Sequence, residues 1–387
     1  MDKKILFVSE TVLFPMDRGN RKRNVNLIET LKKEGCTVDF LYLDTYPEED
    51  TSETEKFIGE DHFFRIMNRK RTFPVFLKRK VRKALELLHC QFAFKFFSLD
   101  ERTSPELEND MKVFFAEHDY AQVWVSCVYN SKVLLAVPGG TLKVLDTVNV
   151  SSVKRQEYEA VGYYNYEFAL KPDTEREGLQ RADAVIAIQN EEEKFFADLI
   201  GDGSRVYTIG ENMPVHEPYV SDSKKVLFIG STYVINVDGV MNFIKMVLPK
   251  LKEVCPEAEV LFGGSICKMI PDSDEYKKLG WVDSLDEVYK DARVVINPVR
   301  HGAGLNIKMV EALSFAKPVV SAVKGMRGLS WKEQVCIATD DPEEFACAVR
   351  DIIRDDELAM KLSQTAVSFM KEYEEKNTEA LKELLSL

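Results

Sequence analysis

Short apolar runs alternate with longer stretches of helical periodicity along almost the whole chain. In the first half, runs rich in β-branched residues are bounded by glycine or polar residues, which is typical of strands. These runs are 4–9, 37–43, 121–126, 142–148, 183–188 and 205–210. Residues 23–35, between the first two runs, place apolar residues at helical spacing and end on a glycine. The pattern predicts βαβ units whose parallel strands are buried on both faces.

The alternation stops in a polar stretch, 211–225, which holds two prolines and shows no periodicity. It then restarts, with a helical pattern over 237–251. The apolar runs of this second half are 225–230, 258–264, 280–282, 292–297, 318–323 and 335–339. We therefore predict an α/β protein of two doubly wound, Rossmann-like domains, 1–210 and 211–365. A C-terminal helix, 366–387, is expected to cross back to the first domain.

Composition narrows the class of protein. The chain has 387 residues, of which 45% are hydrophobic and 30% charged, as in globular proteins with a sizeable core. A formal net charge of −12 argues against a dedicated nucleic-acid binder. Seven scattered cysteines without a CxxC pair indicate neither a disulfide framework nor a zinc site. The opening run has no signal-peptide character and no stretch reaches 18 uncharged apolar residues, so we predict a cytoplasmic protein.

The most informative segment for chemistry is HGAGLNIKMVEALSFAKPVVS, residues 301–321. Glycines loosen the chain between an apolar run and a predicted helix, and Gly304 would allow a ligand to approach the N–H groups at the helix start. Lys308 and Glu311 lie three residues apart and therefore share one face of that helix. This combination predicts a phosphate-binding site.

Other interpretations of these and similar motifs stay open from the residues alone. Lys308 and Glu311 could be an exposed helical pair, and GAGLNI resembles a dinucleotide-binding loop that lacks its third glycine. The Asp272-Ser273-Asp274 triplet has the form of a metal-binding DxD motif, but it follows a proline between two predicted elements and suits a loop better. The five histidines show no metal-ligand spacing.

Residues 295–329 resemble the donor-binding signature of glycosyltransferase family 4, a group of retaining enzymes with the GT-B fold. Segments 226–264 and 279–292 resemble the rest of that family's C-terminal domain. In the first half, 14–35 is similar to the family's first glycine loop and helix, and 177–196 to its last N-domain strand and helix. The resemblance covers most of the chain outside 45–115, and it implies two Rossmann-like domains that face each other across a cleft.

The resemblance also implies an activity: metal-independent transfer of a sugar, with retention, from a nucleotide-sugar donor, most simply a UDP-sugar. No cofactor is implied. Glu311 would bind the ribose hydroxyls and Lys308 would neutralise the diphosphate, so both are expected to be catalytic. Charge builds on the leaving diphosphate as the glycosidic bond breaks, and a preplaced ammonium with a helix N-terminus stabilises it. The donor-binding positions are Gly19, Gly230, Ser231, His301, Gly302, Ala303, Gly304, Leu305, Asn306, Lys308 and Glu311.

Three positions depart from the family pattern. Ala303 stands where many members carry a second glutamate that contacts the donor sugar, and Val148 matches a position that often holds a histidine. Ala316 replaces a glycine before Lys-Pro, which suggests only a packing change. The first two departures keep open a catalytically silent partner subunit that binds sugar nucleotide or glycan. Among enzymes, the alternative is a sugar-nucleotide epimerase of the same two-domain shape.

Residues 63–97 have an unusual composition, with ten Lys or Arg, one acidic residue and eight Phe. Cations interleaved with large apolar residues suit a segment that lies on an anionic membrane. The alternatives are a helical insertion whose phenylalanines pack in the core and, more weakly, a nucleic-acid patch. The membrane interpretation predicts a peripheral protein with a lipid-linked acceptor; otherwise a glycan or protein acceptor is expected. Either would suit synthesis of a bacterial surface polysaccharide or glycoconjugate, with no nucleic acid as partner.

Overall fold

A computed structural model describes residues 3–16, 18–45, 49–69, 73–88, 90, 98–164, 169–329 and 334–387. The chain divides into two compact units. Unit 1 consists of Met1–Asn212 and Asn377–Leu387, and unit 2 of Met213–Lys376. The change from the first to the second unit therefore falls two residues after the position that the sequence predicts.

Unit 1 is built on a seven-stranded parallel sheet with the order β3-β2-β1-β4-β5-β6-β7. Its strands are β1 (Lys4–Ser9), β2 (Thr37–Asp44), β3 (Phe63–Met67), β4 (Gln122–Ser126), β5 (Leu142–Asp146), β6 (Ala184–Ala187) and β7 (Val206–Thr208). Side chains alternate between the faces of a strand. Leu6 and Val8 of β1 therefore enter one core, while Ile5 and Phe7 enter the core on the opposite face.

Helices cover both faces of the unit 1 sheet. They are α1 (Gly19–Lys33), α2 (Ser52–Ile58), α3 (Phe73–Leu87), α4 (Leu107–Glu117), α5 (Lys154–Ala160), α6 (Pro172–Leu179) and α7 (Asn190–Ile200). Strand β3, helices α2 and α3 and most of α4 lie in 45–115, the region that the family resemblance does not cover. Helix α1 begins at Gly19, four residues before the predicted start.

Unit 2 contains a six-stranded parallel sheet with the order β10-β9-β8-β11-β12-β13. Its strands are β8 (Lys225–Ile229), β9 (Glu259–Gly263), β10 (Tyr276–Gly280), β11 (Val294–Asn297), β12 (Val319–Ser321) and β13 (Ile337–Ala338). Its helices are α8 (Val234–Asn242), α9 (Leu248–Val254), α10 (Leu285–Asp291), α11 (Ile307–Ser314), α12 (Pro342–Arg354) and most of α13 (Asp356–Ser386). Five residues of π-helix, Phe243–Val247, join α8 to α9 just before Pro249.

Two details of unit 2 differ from the sequence prediction. The strand predicted at 280–282 is instead Tyr276–Gly280, because an edge strand with lysines at its centre lacks an apolar signal. Helix α13 is a single helix of 31 residues and begins before 366. Within unit 1, its Asn377 accepts from the Gly210 N–H at 2.9 Å and donates to Asn212 Oδ1 at 2.9 Å.

The strand order of each sheet reverses once, and that point positions the site. In unit 2, the strands that follow β8 are added on one side of it, as β9 and β10. The chain then returns to the other side of β8, where β11, β12 and β13 follow in order. Ligands of doubly wound sheets bind outside the carboxyl ends of the strands at such a point. Gly230 follows β8 and Asn297 ends β11, so these two positions mark the crevice of unit 2.

Candidate functional site

Lys308 lies in the first turn of α11, beside the carboxyl end of β8. Its Nζ donates to Asn236 Oδ1 at 3.2 Å, and Asn236 Nδ2 in turn donates to Ser231, to the Oγ at 3.1 Å and the carbonyl oxygen at 3.3 Å. Gly230 is adjacent, since a Cβ there would lie 3.5 Å from Lys308 Cε. The structure thus brings together Gly230, Ser231 and Lys308, with Asn236 fixing the direction of the ammonium group.

The glycine-containing loop before α11 is held at both of its ends. Asn306 Nδ2 donates to Asn297 Oδ1 at 3.1 Å, which ties the start of α11 to the end of β11. At the other end, Arg327 Nη2 donates to the carbonyl oxygens of Gly302 and Gly304. Gly302 has a φ of 140°, a conformation that favours glycine. The loop therefore has a defined course before any ligand binds.

The remaining predicted residues of this loop lie within the same stretch. Leu305 is buried and anchors the loop, while His301 and Ala303 are half-buried. Helix α11 has no acidic residue in its first turn, so its N-terminal N–H groups and Lys308 form an electropositive end. A diphosphate group is complementary to such an arrangement.

Glu311 is a buried carboxylate, 6% exposed, one turn after Lys308. Its Oε1 accepts a hydrogen bond from the Tyr289 hydroxyl at 2.9 Å, which excludes the alternative of an exposed helical pair. The Tyr289 ring stacks on Phe315 with centroids 4.3 Å apart. Burial, and then the charge of Glu311 and its hydrogen bond, raise the pKa of Tyr289 well above its ordinary value, so the hydroxyl stays protonated and donates.

These elements match a known class of enzyme domain. Residues 223–355 match the family described as "Glycosyl transferases group 1". The sequence likeness to group 1 glycosyltransferases is therefore confined to these residues, most of unit 2. The match confirms the predicted resemblance to glycosyltransferases of this type, whereas membership of family 4 stays a prediction.

Solved structures extend the likeness to both units. Sucrose-phosphate synthase from Thermosynechococcus elongatus is 15% identical, with a TM-score of 0.68 over 99% of this chain and 98% of that one. A TarM variant from S. aureus is 12% identical, with a TM-score of 0.68 over 99% of both chains. HepE from Anabaena, solved with UDP and glucose, is 13% identical, with a TM-score of 0.64 over 100% of both chains. These likenesses confirm the predicted GT-B fold.

The chain also shares a shorter likeness with a different class of protein. It is 28% identical over 134 residues to the clathrin heavy chain of Drosophila melanogaster, an alignment that covers 31% of this chain. The chain spans only 8% of the length of that relative, and the same holds for the clathrin heavy chain 2 of Oryza sativa subsp. japonica. The activity, substrates and partners of the whole protein are therefore matters for proposal.

Several predicted positions lie outside this cluster. Gly19 belongs to unit 1, whereas the other predicted donor-binding residues belong to unit 2. Its predicted contact with the donor therefore stays a prediction. Asp272 and Asp274 are exposed, and Asp272 pairs with Lys278 Nζ at 2.5 Å. Within the described ranges, no group of three or more His, Cys, Asp or Glu could hold a metal ion. No helix among the described residues is long and apolar enough to cross a membrane.

Sequence reasoning missed the residues that hold the predicted ones in place. Asn236 contacts Lys308 from 72 residues away in the chain. Tyr289 lies 22 residues from Glu311, and Arg327 lies 25 residues from Gly302 in the glycine loop. One signal was available for Asn236, because an amide in the apolar run VINV needs a partner when buried. Tyr289 and Arg327 carried no such signal, since a tyrosine in an amphipathic helix and an arginine after a turn are both common.

Proposed function

We propose that the protein is a retaining, metal-independent glycosyltransferase that moves a sugar from UDP to a hydroxyl-bearing acceptor. The observation that carries this proposal is the pair of oriented side chains on α11, Lys308 held by Asn236 and Glu311 held by Tyr289. The choice of UDP is supported by relatives of the same fold, HepE with UDP-glucose and TarM with UDP. We assign the transferase to the cytoplasm and to synthesis of a bacterial surface polysaccharide or glycoconjugate.

The proposed reaction breaks the bond between the anomeric carbon and the diphosphate oxygen. A bond from the acceptor oxygen to the same carbon forms, and the acceptor proton leaves with the diphosphate. Negative charge grows on the leaving group during this step, so an ammonium that is already in place stabilises the transition state more than the ground state. Lys308 and the N-terminus of α11 would supply that stabilisation, and Glu311 would hold the ribose.

Nucleotide binding and turnover test the proposal in two steps. We expect UDP to raise the melting temperature more than GDP or ADP, because a ligand at 100 times its dissociation constant adds about 2.7 kcal/mol to the free energy of unfolding. UDP-glucose should then release UDP in the presence of acceptor, with activity retained in chelator. Loss of activity in chelator would contradict metal independence and direct attention back to Asp272 and Asp274.

The same assay separates the two alternatives that the sequence left open. A sugar-nucleotide epimerase would convert the donor to a new sugar without any acceptor. A silent partner subunit would bind UDP but turn over no donor under any condition. Because Glu311 and Lys308 are both oriented by partners rather than lying loose on the surface, turnover is the expected outcome.

We further propose that helix α3 binds an anionic membrane surface and brings the enzyme to a membrane-proximal acceptor. Most of the large apolar residues of this helix point outward, which is unusual for an amphipathic helix of a globular protein. Phe73 is 73% exposed and Leu87 77%, and Phe76, Leu77 and Val81 share the exposed face with Lys80. The opposite face is charged, and Arg82 is buried in an ion pair with Glu101.

The structure changes which residues of 63–97 would contact a membrane. Arg65 and Arg69 both bind Asp44, and Lys78 Nζ lies 3.7 Å from Glu101. Phe63 and Phe64 pack against other aromatic rings of unit 1, so the core alternative holds for that strand. Lys70, Arg71 and residues 91–97 lie outside the described residues. The outward phenylalanines of α3 therefore become the main contribution to binding, assisted by Lys80 and Lys83.

Vesicle flotation at low salt tests the membrane proposal. Phe73→Ser with Phe76→Ser should reduce binding to anionic vesicles at least tenfold, because burying one phenylalanine contributes about 1.5–3 kcal/mol. A control, Val113→Ser with Leu135→Ser, removes exposed apolar residues from other parts of unit 1 and should leave binding unchanged. Wild-type protein that stays in the soluble fraction would contradict the proposal and favour a soluble glycan or protein acceptor.

A further inference from the structure

Three stacked aromatic rings of unit 2 lead from Glu311 to a histidine. The Tyr289 ring, whose hydroxyl donates to Glu311, lies on Phe315 with centroids 4.3 Å apart and planes 7° apart. The imidazole of His216 also stacks on Phe315, with centroids 4.2 Å apart and planes 20° apart. His216 belongs to the polar stretch 211–225, far in the chain from the helices that carry the other rings. The stack therefore connects this stretch to the buried carboxylate.

Hydrogen-bond contacts of His216 join the two helices on which the carboxylate depends. Its Nδ1 lies 3.1 Å from the carbonyl oxygen of Ser314, the last residue of α11, and its backbone N–H donates to the same oxygen at 2.8 Å. Its Nε2 lies 3.2 Å from Asp286 Oδ1 in the first turn of α10. One side chain thus contacts both the helix that carries Tyr289 and the helix that carries Glu311.

Both ring nitrogens of His216 face groups that can only accept a hydrogen bond. A carbonyl oxygen and an ionised carboxylate have no hydrogen to donate, so each contact is a hydrogen bond only when the ring nitrogen carries a proton. The protonated ring can therefore bond to Ser314 and to Asp286 at once. The neutral ring can keep its stack on Phe315 and one of the two bonds, but it cannot make both.

Among the described residues, Asp286 is the one acidic side chain within ion-pair distance of this imidazole. The other charged side chains near these contacts in the chain are Glu217, Glu287, Lys290, Glu311 and Lys317. Glu311 is bonded to Tyr289, Lys317 donates to the Ala292 carbonyl at 3.1 Å, and the other three are exposed. Histidine is the side chain whose charge ordinarily changes between pH 5 and 8. The bond to Asp286 is thus present at the acidic end of that range and is lost as the pH rises.

We propose that His216 is a positioning residue for the nucleotide site: when protonated, it holds α10 to α11 and so fixes the direction of Glu311 through Phe315 and Tyr289. The inference rests on the proposed transferase function, in which Glu311 binds the ribose, and adds a pH dependence of donor affinity. A site whose binding arrangement is populated only part of the time has an affinity reduced by that fraction. The His216 and Asp286 side chains are 38% and 79% exposed, and exposed ion pairs are weak, so we expect a change of a few-fold.

Calorimetry with UDP at pH 6 and at pH 8.5 tests the proposal. His216→Phe keeps an aromatic ring for the stack and removes both ring hydrogen bonds. The dissociation constant of this variant, divided by that of wild type, should be about three- to fivefold at pH 6 and about 1.5-fold or less at pH 8.5. Titration of the UDP phosphate, near pH 6, cancels in this ratio because both proteins bind the same nucleotide. A ratio that is equal at the two pH values would overturn the proposal.

Asp286→Asn is a second, independent variant, because this residue is exposed and lies outside the core. It should weaken UDP binding about two- to threefold at pH 6 and leave it unchanged at pH 8.5. The control is His118→Gln, which replaces a histidine of unit 1 whose Nδ1 lies 2.9 Å from the Phe114 carbonyl oxygen. Its ratio to wild type should be close to one at both pH values.

Steady-state kinetics separate positioning from a general loss of structure. For His216→Phe at pH 6, the KM for UDP-glucose should rise while kcat changes little, because Lys308 is held by Asn236 and not by this stack. Unchanged UDP affinity of Asp286→Asn at pH 6 would overturn the role of His216 and leave the transferase proposal standing. Wild-type protein that binds no UDP at either pH would instead overturn the proposed function, and the role of His216 with it.

Discussion

The carboxyl edges of the two sheets differ in how completely their polar groups are paired. In unit 2, Lys308 and Glu311 each have a partner that fixes its direction, Asn236 and Tyr289. In unit 1, charged groups pair among themselves, while three amide oxygens just beyond the ends of β4, β5 and β6 have no partner among the described residues. The diphosphate and ribose are common to all UDP-sugars, so a site for them can be completed by the protein alone. The two proposed donor-binding side chains of unit 2 are thus oriented by the protein itself.

The largest effect is expected from removing the oriented cation of unit 2. Lys308→Ala should lower kcat about 10²-fold or more, because the ammonium meets charge that grows in the transition state. Lys308→Gln should restore little of it, since the amide carries no charge. Steady-state kinetics with UDP-glucose measure this, and Lys268→Ala, an exposed lysine of the same unit, is the control. An intact kcat with a raised KM would mean that Lys308 only binds donor.

A smaller effect is expected from the oriented carboxylate. Glu311→Gln should weaken UDP binding about 10- to 150-fold, which corresponds to about 1.5–3 kcal/mol for hydrogen bonds to a charged group. The glutamine can still accept from Tyr289, so the melting temperature should change little. Glu311→Ala should weaken UDP equally but also lower the melting temperature, because it leaves the Tyr289 hydroxyl buried without its acceptor. Unchanged affinity in calorimetry would contradict a role for Glu311 in ribose binding.

The sequence predicted those parts of the protein that local pattern determines. The strands β1, β2, β4 and β8 are buried runs of apolar residues, and their predicted bounds agree with the structure to within one residue. The α11 segment was recognisable because its glycines, its helix start and its cation lie close together in the chain. The three-residue spacing of Lys308 and Glu311 is itself a local property.

What could not be predicted depends on contacts between distant residues. Tyr289 is 22 residues before Glu311, and only the packing of α10 against α11 brings the hydroxyl to the carboxylate. Similarly, the composition of α3 suggested a basic surface, but the sequence did not show that Glu101 would bury Arg82 and leave the apolar face outward. Nothing in the sequence indicated the unpaired amide oxygens of unit 1, since whether a hydrogen-bond donor lies near them depends on the folded structure.

The smallest effect is expected from the residue that orients Glu311. Tyr289→Phe removes one hydroxyl and should weaken UDP binding three- to tenfold, with kcat changed less than KM, because the carboxylate stays present but loses its fixed direction. The control is Tyr276→Phe, which removes a hydroxyl that donates to the Pro271 carbonyl at 2.7 Å in the same unit. Both variants should lose a little stability, and only the first should lose UDP affinity.

Because the pKa of Tyr289 is raised above its ordinary value near 10, wild-type affinity should not fall between pH 8 and about 10 through ionisation of this hydroxyl. Equal UDP affinity for the two variants would show that Tyr289 is merely a packed residue and that the unit 2 edge is less preorganised than its contacts indicate.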